Sequence, residues 1–290
     1  MNEEEELARK EIKVIGVDIG GTKISAGLVG NGKIYKSVTI QTPTTEKQND
    51  VIKVIIEAIR GVMTDEVVGI GVGIPGIVDT KSGTVYNVQN IPSFKAVHLK
   101  EILENKLERP VHVNNDANCF TLGTKNFGDG KQFHSLVGLT LGTGLGGGII
   151  INDKLYEGMG NGAGEFGFFP YKDGILEHYC SGQFFLKQYN VTGEEAQNLA
   201  LSGDKKALHM FEEFGYHLGE AIKMIVHTLS PEAVMLGGSI SKNFDFFEQS
   251  MWANIRQFPY KNVINDLTVF PVLNPEIAII GAAYLNERLF

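Results

Sequence analysis

Cysteine is nearly absent from this 290-residue chain: there are two, Cys119 and Cys180, and neither belongs to a CxxC or a Cys/His cluster. No zinc site can be read from such a pair, and two free thiols suit a reducing compartment. Basic residues are in the minority, with 26 Lys and Arg against 34 Asp and Glu and a formal charge of −8. That balance speaks against non-specific binding to nucleic acid, which needs a basic surface. It leaves an anionic small molecule open, because a Mg²⁺ ion or a helix N-terminus reverses the local field. No apolar run approaches the ~18 residues of a membrane span. The acidic start MNEEEELARK lacks the basic and apolar regions of a signal peptide, so a cytoplasmic protein is expected. The sequon Asn190-Val-Thr192 is a chance match in that setting.

Glycine, by contrast, is abundant. There are 35, clustered at 16–30, 69–76, 142–148, 158–167 and 237–238, above the usual share of about 7%. Clustering means tight turns or a backbone that something approaches closely. The first cluster follows a buried strand, IKVIGV at 12–17, and turns through Asp18-Ile-Gly20-Gly21-Thr22-Lys23 into a second strand at 24–29. A third strand near 33–41 completes a meander. Helical spacing marks 48–62, EVVGIGVGI at 66–74 is a buried strand stopped by Pro75-Gly76, a helix is expected at 97–107 and a short strand at 111–113. About 120 residues after the first unit the pattern returns: a strand at 135–141, a glycine turn at 142–148 and a strand at 149–151. Helices at 181–189, 193–201 and 205–229 follow, then a strand at 233–236, a helix near 244–257, a strand near 267–271 and a terminal helix at 276–288. The fold expected is α/β, with two lobes. Residues 1–113 form the smaller N-terminal lobe and 114–275 the larger one, with the helix 276–290 returning to the first.

Three known glycine motifs compete for the clusters. Gly71-Val-Gly73-Ile-Pro-Gly76 and Gly142-Thr-Gly144-Leu-Gly146-Gly147 both approximate GxGxxG. The dinucleotide motif requires a helix immediately afterwards, and here IVDTKSG and IIIND follow. A protein-kinase glycine loop needs HRD and DFG elsewhere, and a Walker A loop needs GxxxxGK[ST]; all are missing. What remains is a pair of backbone nests, the N–H groups of Gly20, Gly21 and Thr22 and those of Gly142, Thr143 and Gly144, aimed at phosphate oxygens. Plain hairpin turns are the bland alternative. Asp18 ends its strand beside the first turn, where its carboxylate suits Mg²⁺ or its waters. Lys23 is either a phosphate lysine or a solvated turn residue. Asp116 follows the apolar strand VHV and precedes an Ala-containing helical turn, which fits either a general base or a helix N-cap.

Together, Asp18-Ile-Gly-Gly-Thr-Lys23, Asn115-Asp-Ala-Asn118, Gly142-Thr-Gly-Leu-Gly-Gly-Gly148 and Leu236-Gly-Gly238 resemble the ROK family of sugar kinases, in the family's order and over nearly the whole chain. The resemblance implies two actin-like or hexokinase-like (ribonuclease H-like) lobes around a central cleft that takes ATP, Mg²⁺ and a sugar. It implies Asp116 as catalytic base, placed on the second lobe opposite the phosphate turns. Asn115, Asn90 (in Val88-Gln-Asn-Ile-Pro92), Gly76 (in Pro75-Gly-Ile-Val-Asp79) and Glu165 (in Gly164-Glu-Phe-Gly167) become sugar-side residues. Gly237 and Gly238 pack against adenosine, and the family's habit implies a homodimer. A glucose-like hexose phosphorylated at its 6-hydroxyl is the favoured substrate.

The sequence departs from the family pattern in one place. Phe168 stands where the family's Glu-x-Gly-His has its His, and the Cys-x-Cys-Gly-x-x-Gly-Cys zinc segment is missing. The chain runs from Tyr171-Lys-Asp-Gly-Ile straight to Leu176-Glu177, so no structural zinc is expected, while Glu177 keeps the position of a sugar contact. Glu165 and Glu177 have surface-acid alternatives, and His178 is a candidate for the pocket wall. Phe168 favours a substituted or N-acetylated sugar, or a relaxed specificity. Three other readings stand beside a kinase. A catalytically silent sugar-binding protein would keep the sugar residues. A transcriptional regulator would need a DNA-binding module, for which the ten or so residues ahead of the first strand are too few. An actin-like ATPase that activates a partner would not need Asn90, Asn115 and Glu165.

Overall fold

The computed structural model describes residues 12–43, 47–88 and 91–286. By its internal contacts the chain divides into two units, one of residues 1–127, 159–161 and 276–290 and the other of residues 128–158 and 162–275. The division falls after Phe127, not at the expected 113/114. The reason is packing: the helix that begins at Asp116 lies against first-unit elements along its whole length, so Asp116 belongs to the first unit.

The first unit begins with β1 (Lys13–Ile19), β2 (Lys23–Gly30) and β3 (Lys33–Gln41), an antiparallel meander, and α1 (Gln48–Val62). β4 (Val67–Ile74) pairs parallel with β1. Three short strands, β5 (Ile77–Asp79), β6 (Thr84–Tyr86) and β7 (Ala96–His98), form a small sheet of their own that the sequence pattern did not announce. Then come α2 (Leu99–Leu107), β8 (Val111–Asn115) and α3 (Asp116–Phe127). The main sheet runs β3-β2-β1-β4-β8, with β1, β4 and β8 parallel. β4 reads VVGIGVGI and is buried at all but one position, as a central strand covered on both faces requires.

The second unit repeats this plan. β9 (Leu136–Leu141), β10 (Leu145–Ile151) and β11 (Lys154–Leu155) form the meander. Only residues 142–144 form the turn; Gly146, Gly147 and Gly148, expected as part of it, lie in β10. A two-strand hairpin follows, β12 (Pro170–Tyr171) and β13 (Gly174–Ile175). Next are α4 (Gly182–Tyr189), α5 (Gly193–Leu201), α6 (Lys205–Leu229), β14 (Ala233–Gly237), α7 (Phe244–Ile255), α8 (Lys261–Asn265) and β15 (Thr268–Pro271). The sheet order is β11-β10-β9-β14-β15, with β9, β14 and β15 parallel. α5 starts in a capping box between Thr192 and Glu195. α6 starts where the Asp204 carboxylate accepts the Ala207 N–H at 2.9 Å and ends at Ser230 in the left-handed region, ahead of Pro231. Its apolar face, with Phe211, Phe214, Leu218, Ile222 and Ile225, lies in the unit's core.

The hairpin 170–175 is held by an aromatic cluster. The Tyr171 hydroxyl lies 2.9 Å from Nδ1 of buried His217. Tyr179 and Phe184 meet the imidazole edge-on at 5.0 and 5.6 Å. The Tyr179 hydroxyl donates to Asp173, and the Lys172 ammonium sits 5.1 Å from the Tyr179 ring. Burial first, and then Lys172, push the His217 pKa down to about 4, so the ring stays neutral.

The last helix, α9 (Ile277–Tyr284), returns to the first unit and packs on β1, β4 and α3. The approach is so close that a β-carbon on Gly281 would stand 1.8 Å from the Cys119 carbonyl oxygen, and one on Gly71 would stand 1.7 Å from that of Ala282. Of the described helices, none is long and apolar enough to cross a membrane.

Two outcomes follow from this packing. Gly281→Ala should destabilise the protein by about 3 kcal/mol, read as a lowered urea midpoint, because neither backbone can yield. For His217 the unfolded state takes up a proton near 6.5 and the folded state only near 4. Stability from this group is complete above pH 6.5 and declines as the pH falls toward 4. Melting temperatures measured across that window should fall less steeply in His217→Gln than in the parent, while the variant costs about 1 kcal/mol at pH 7.

Candidate active site

In open sheets with parallel strands, ligands gather at the carboxyl ends of the strands. In the first unit those ends carry Asp18 on β1, Gly73 to Gly76 at and beyond the end of β4, and Asn114 to Asp116 at and beyond the end of β8. Strand register sets them side by side: Asp18 is opposite Gly73, and Gly73 opposite Asn114. Gly73 matters because α3 starts directly over it. A β-carbon there would crowd Cys119, 3.1 Å from its Sγ and 3.2 Å from its Cβ, and would lie in van der Waals contact with the Asp116 Cα at 3.5 Å, so glycine keeps the space under the start of α3.

Asp116 is half-buried at the first position of α3. The capping role that competed for it belongs to Asn115. The Asn115 Oδ1 accepts from the N–H groups of Ala117 and Asn118 at 2.8 and 3.3 Å. Its Nδ2 donates to the Gly76 carbonyl at 3.1 Å, which joins two of the expected sugar-side residues. Asp116 Oδ1 accepts from the Ala117 N–H at 2.9 Å. Beneath it, burial raises the Cys119 thiol well above its ordinary range, and the charges of Asp116 and Asp18 add to this. Cys119 is a packing residue and no nucleophile. Burial likewise raises the Asp18 carboxyl, against the pull of Lys23. Asn90 lies outside the described residues.

The turn after β1 corrects part of the nest reading. The Gly20 N–H donates to the Lys23 carbonyl at 2.8 Å and closes the turn, so it is not available to a phosphate. The Thr42 hydroxyl donates to the Gly20 carbonyl at 2.7 Å and pins the turn from the far side. In the second unit the Gly142 N–H is spent in the same way, on the Gly144 carbonyl at 3.1 Å. Gly21, Thr22, Thr143 and Gly144 remain as the candidate phosphate donors, with Thr22, Lys23 and Thr143 exposed.

β14 sets Gly237 beside Thr140. Gly238 has φ +88° and comes so near Leu141 that a β-carbon would meet its carbonyl oxygen at 2.3 Å. The two glycines therefore lie next to the strand end that leads into the 142–144 turn. Glu165 is half-buried, its carboxyl raised by burial and then by the charge of Glu177. Both Glu177 oxygens are engaged: Oε2 accepts from the Leu145 N–H at 3.0 Å and Oε1 from Gln183 Nε2 at 2.8 Å. Phe168, in the place of the family's His, is 52% exposed. His178 sits against the hairpin, its Nδ1 2.6 Å from where a Gly174 β-carbon would be. Among the described residues, no three His, Cys, Asp or Glu side chains come together as a metal cluster. A single carboxylate such as Asp18 still fits Mg²⁺, which keeps most of its waters and takes the rest of its shell from phosphates.

Thr42, Gln183 and Gly73 escaped sequence reasoning. Only Gly73 carried a signal, a glycine inside a buried strand; the other two act through contacts between residues far apart in sequence or across a turn.

This geometry has counterparts. A glucokinase of Thermotoga maritima is 34% identical over 264 aligned residues, 80% of this chain and 83% of that protein. An N-acetyl-D-glucosamine kinase of Vibrio vulnificus is 33% identical over 305, covering 94% and 99%. The crystal structure of a ROK family glucokinase from Streptomyces griseus in complex with glucose and AMPPNP superposes with a TM-score of 0.84 at 29% identity, over 94% of this chain and 98% of that one. The model of the ROK family matches residues 14–288, nearly the full length, and the chain accordingly belongs to the ROK family of sugar kinases.

Proposed function

We propose that this protein transfers the γ-phosphoryl group of ATP to a hydroxyl of glucose or a close hexose, at C6, with Asp116 as general base. The observation that carries the proposal is the placement of Asp116. It stands half-buried at a helix N-terminus, over Gly73, with Asp18 on the far side of that glycine. A sugar hydroxyl is a weak nucleophile at neutral pH, and a carboxylate within hydrogen-bond reach removes that obstacle. The sugar oxygen bonds to the γ-phosphorus as the bond to the β,γ-bridging oxygen breaks. The hydroxyl proton passes to Asp116, and ADP leaves. Phosphoryl transfer asks the protein for alignment and charge neutralisation more than for covalent chemistry. Gly21, Thr22, Thr143 and Gly144 are assigned to the phosphates, Lys23 to their charge, and Gly237 and Gly238 to the adenosine. Asp18 would hold Mg²⁺ or its waters, and the ion when bound neutralises phosphate charge. Asn115, through its hold on Gly76, and Glu165 are assigned to sugar hydroxyls, which pair well with groups offering two polar atoms.

A second reading is an N-acetylated hexose. The exposed Phe168 ring beside Glu165 favours it by offering apolar surface where a His would offer a polar one. The Vibrio relative is named for such a sugar.

A coupled ADP-release assay over a panel of hexoses and N-acetylhexosamines tests both. Sugar-dependent turnover is expected, and Asp116→Asn should reduce kcat by about 10²–10⁴-fold. Equal turnover by the variant would remove Asp116 from its role, and no sugar-dependent turnover would leave a silent sugar-binding protein. Because the Glu165 pKa is raised above 4.5, its carboxylate is lost on acidification earlier than an ordinary Glu. kcat/KM for the sugar should therefore begin to fall at a pH above 4.5, and that limb should vanish in Glu165→Gln.

A further inference from the structure

The hairpin β12–β13 stands between the two acids that the family resemblance sets on the sugar side. Glu165 leads into the single turn Phe166–Phe168, which runs on into β12, and Glu177 lies on the single turn Leu176–His178, which follows β13. The Leu176 N–H donates to the Phe169 carbonyl at 2.9 Å and ties the two turns together at the base of the hairpin. The turns touch there: a β-carbon on Gly167 would lie 3.5 Å from the Glu177 Cβ. The acids are near enough that the charge of Glu177, after burial, raises the Glu165 carboxyl. Like charges in one place push apart, so a framework has to hold them.

The hairpin is too short to be that framework alone. It pairs only Pro170 with Ile175 and Tyr171 with Gly174, and even a longer two-stranded ribbon is marginal in water. Its far end is fastened to the core instead. The Tyr171 hydroxyl meets Nδ1 of buried His217 at 2.9 Å, and His217 belongs to α6, whose apolar face lies in the unit's core. The rings of Tyr171, Tyr179 and His217 meet one another edge-on, with centroids 5.2, 5.7 and 5.0 Å apart. The Tyr179 hydroxyl donates to Asp173 at the tip. We propose that Tyr171 and His217 are positioning residues of the sugar site: their contact fixes the hairpin, and the hairpin fixes the spacing of Glu165 and Glu177. The proposal rests on the reading of Glu165 as a sugar residue. It makes a contact at the far end of the hairpin a determinant of sugar affinity, acting through the backbone and leaving the ATP side alone.

The test uses the full-length protein with glucose or N-acetylglucosamine, whichever the parent phosphorylates faster. Tyr171→Phe keeps the ring and removes the hydroxyl. It should raise the sugar KM by about three- to tenfold, the worth of one net hydrogen bond, with KM for ATP within about twofold of the parent. In a Glu165→Gln background the same change should lower kcat/KM for the sugar by less than about twofold, because residues that act through one another are not additive. A rise in both KM values would mark a general loss of structure, and no rise in the sugar KM an idle contact. Either result overturns the proposal, as does a full effect of Tyr171→Phe in the Glu165→Gln background. If Tyr171→Phe does not fold, His217→Leu removes the other half of the contact and is held to the same outcomes. A parent without sugar-dependent turnover, or one whose sugar KM Glu165→Gln leaves untouched, defeats the reading of the sugar site and this proposal with it. That result is distinct from a Glu165→Gln effect that Tyr171→Phe does not share, which defeats this proposal alone.

Discussion

Backbone packed on backbone, with no space for a β-carbon between, is the constraint on which the first unit depends. At Gly71, Gly123 and Gly281 the strand β4 and the helices α3 and α9 meet at distances that exclude any side chain. Such contacts fix the angle and depth at which α3 enters the sheet, and with them the height of Asp116 over Gly73. A carboxylate positioned this way moves only if the packed elements move. Interiors of this density transmit strain instead of absorbing it, so a fraction of an ångström lost at the glycines is felt at the strand ends where Asp18 and Asp116 stand.

The two glycine turns follow one design with different anchors. Each spends its own first N–H on closing itself, and each is then held by a group from elsewhere: a hydroxyl in the first unit, Thr42, and a carboxylate in the second, Glu177. The anchors leave a small number of N–H groups and a threonine on the exposed rim of each turn. Desolvation acts on the acids around them, raising Asp18 and Glu165. Groups whose charge is costly when empty gain most from a cation or a hydrogen-bonding ligand.

Much of this was legible in the sequence. The meander, the long helix 205–229 and the parallel strands were written in periodicity and apolar runs, and the helix 48–62 and the helices 193–201 and 205–229 have the expected limits. The repeat of strand, glycine turn and strand emerged as two sheets of the same order. Three things were not legible. Gly146 to Gly148 read as turn and proved to be strand, because β9 on one side supplies the pairing that local propensity denies them. The unit boundary was misplaced because a helix is assigned by what it packs on, which spacing does not reveal. The capping of α3 by Asn115 in place of Asp116 turned on a shift of one residue, within the uncertainty of any helix start read from sequence.

The return of α9 to β1 has a consequence for synthesis. The first strand leaves the ribosome long before the helix that covers it, with the whole second unit translated in between. Until that helix emerges, β1 and β4 expose the glycine-lined face that it covers. The second unit lies between the two in sequence, whereas the strand-end carboxylates of the first settle only once α9 is in place, which leaves a product lacking that helix open to chaperones and proteases.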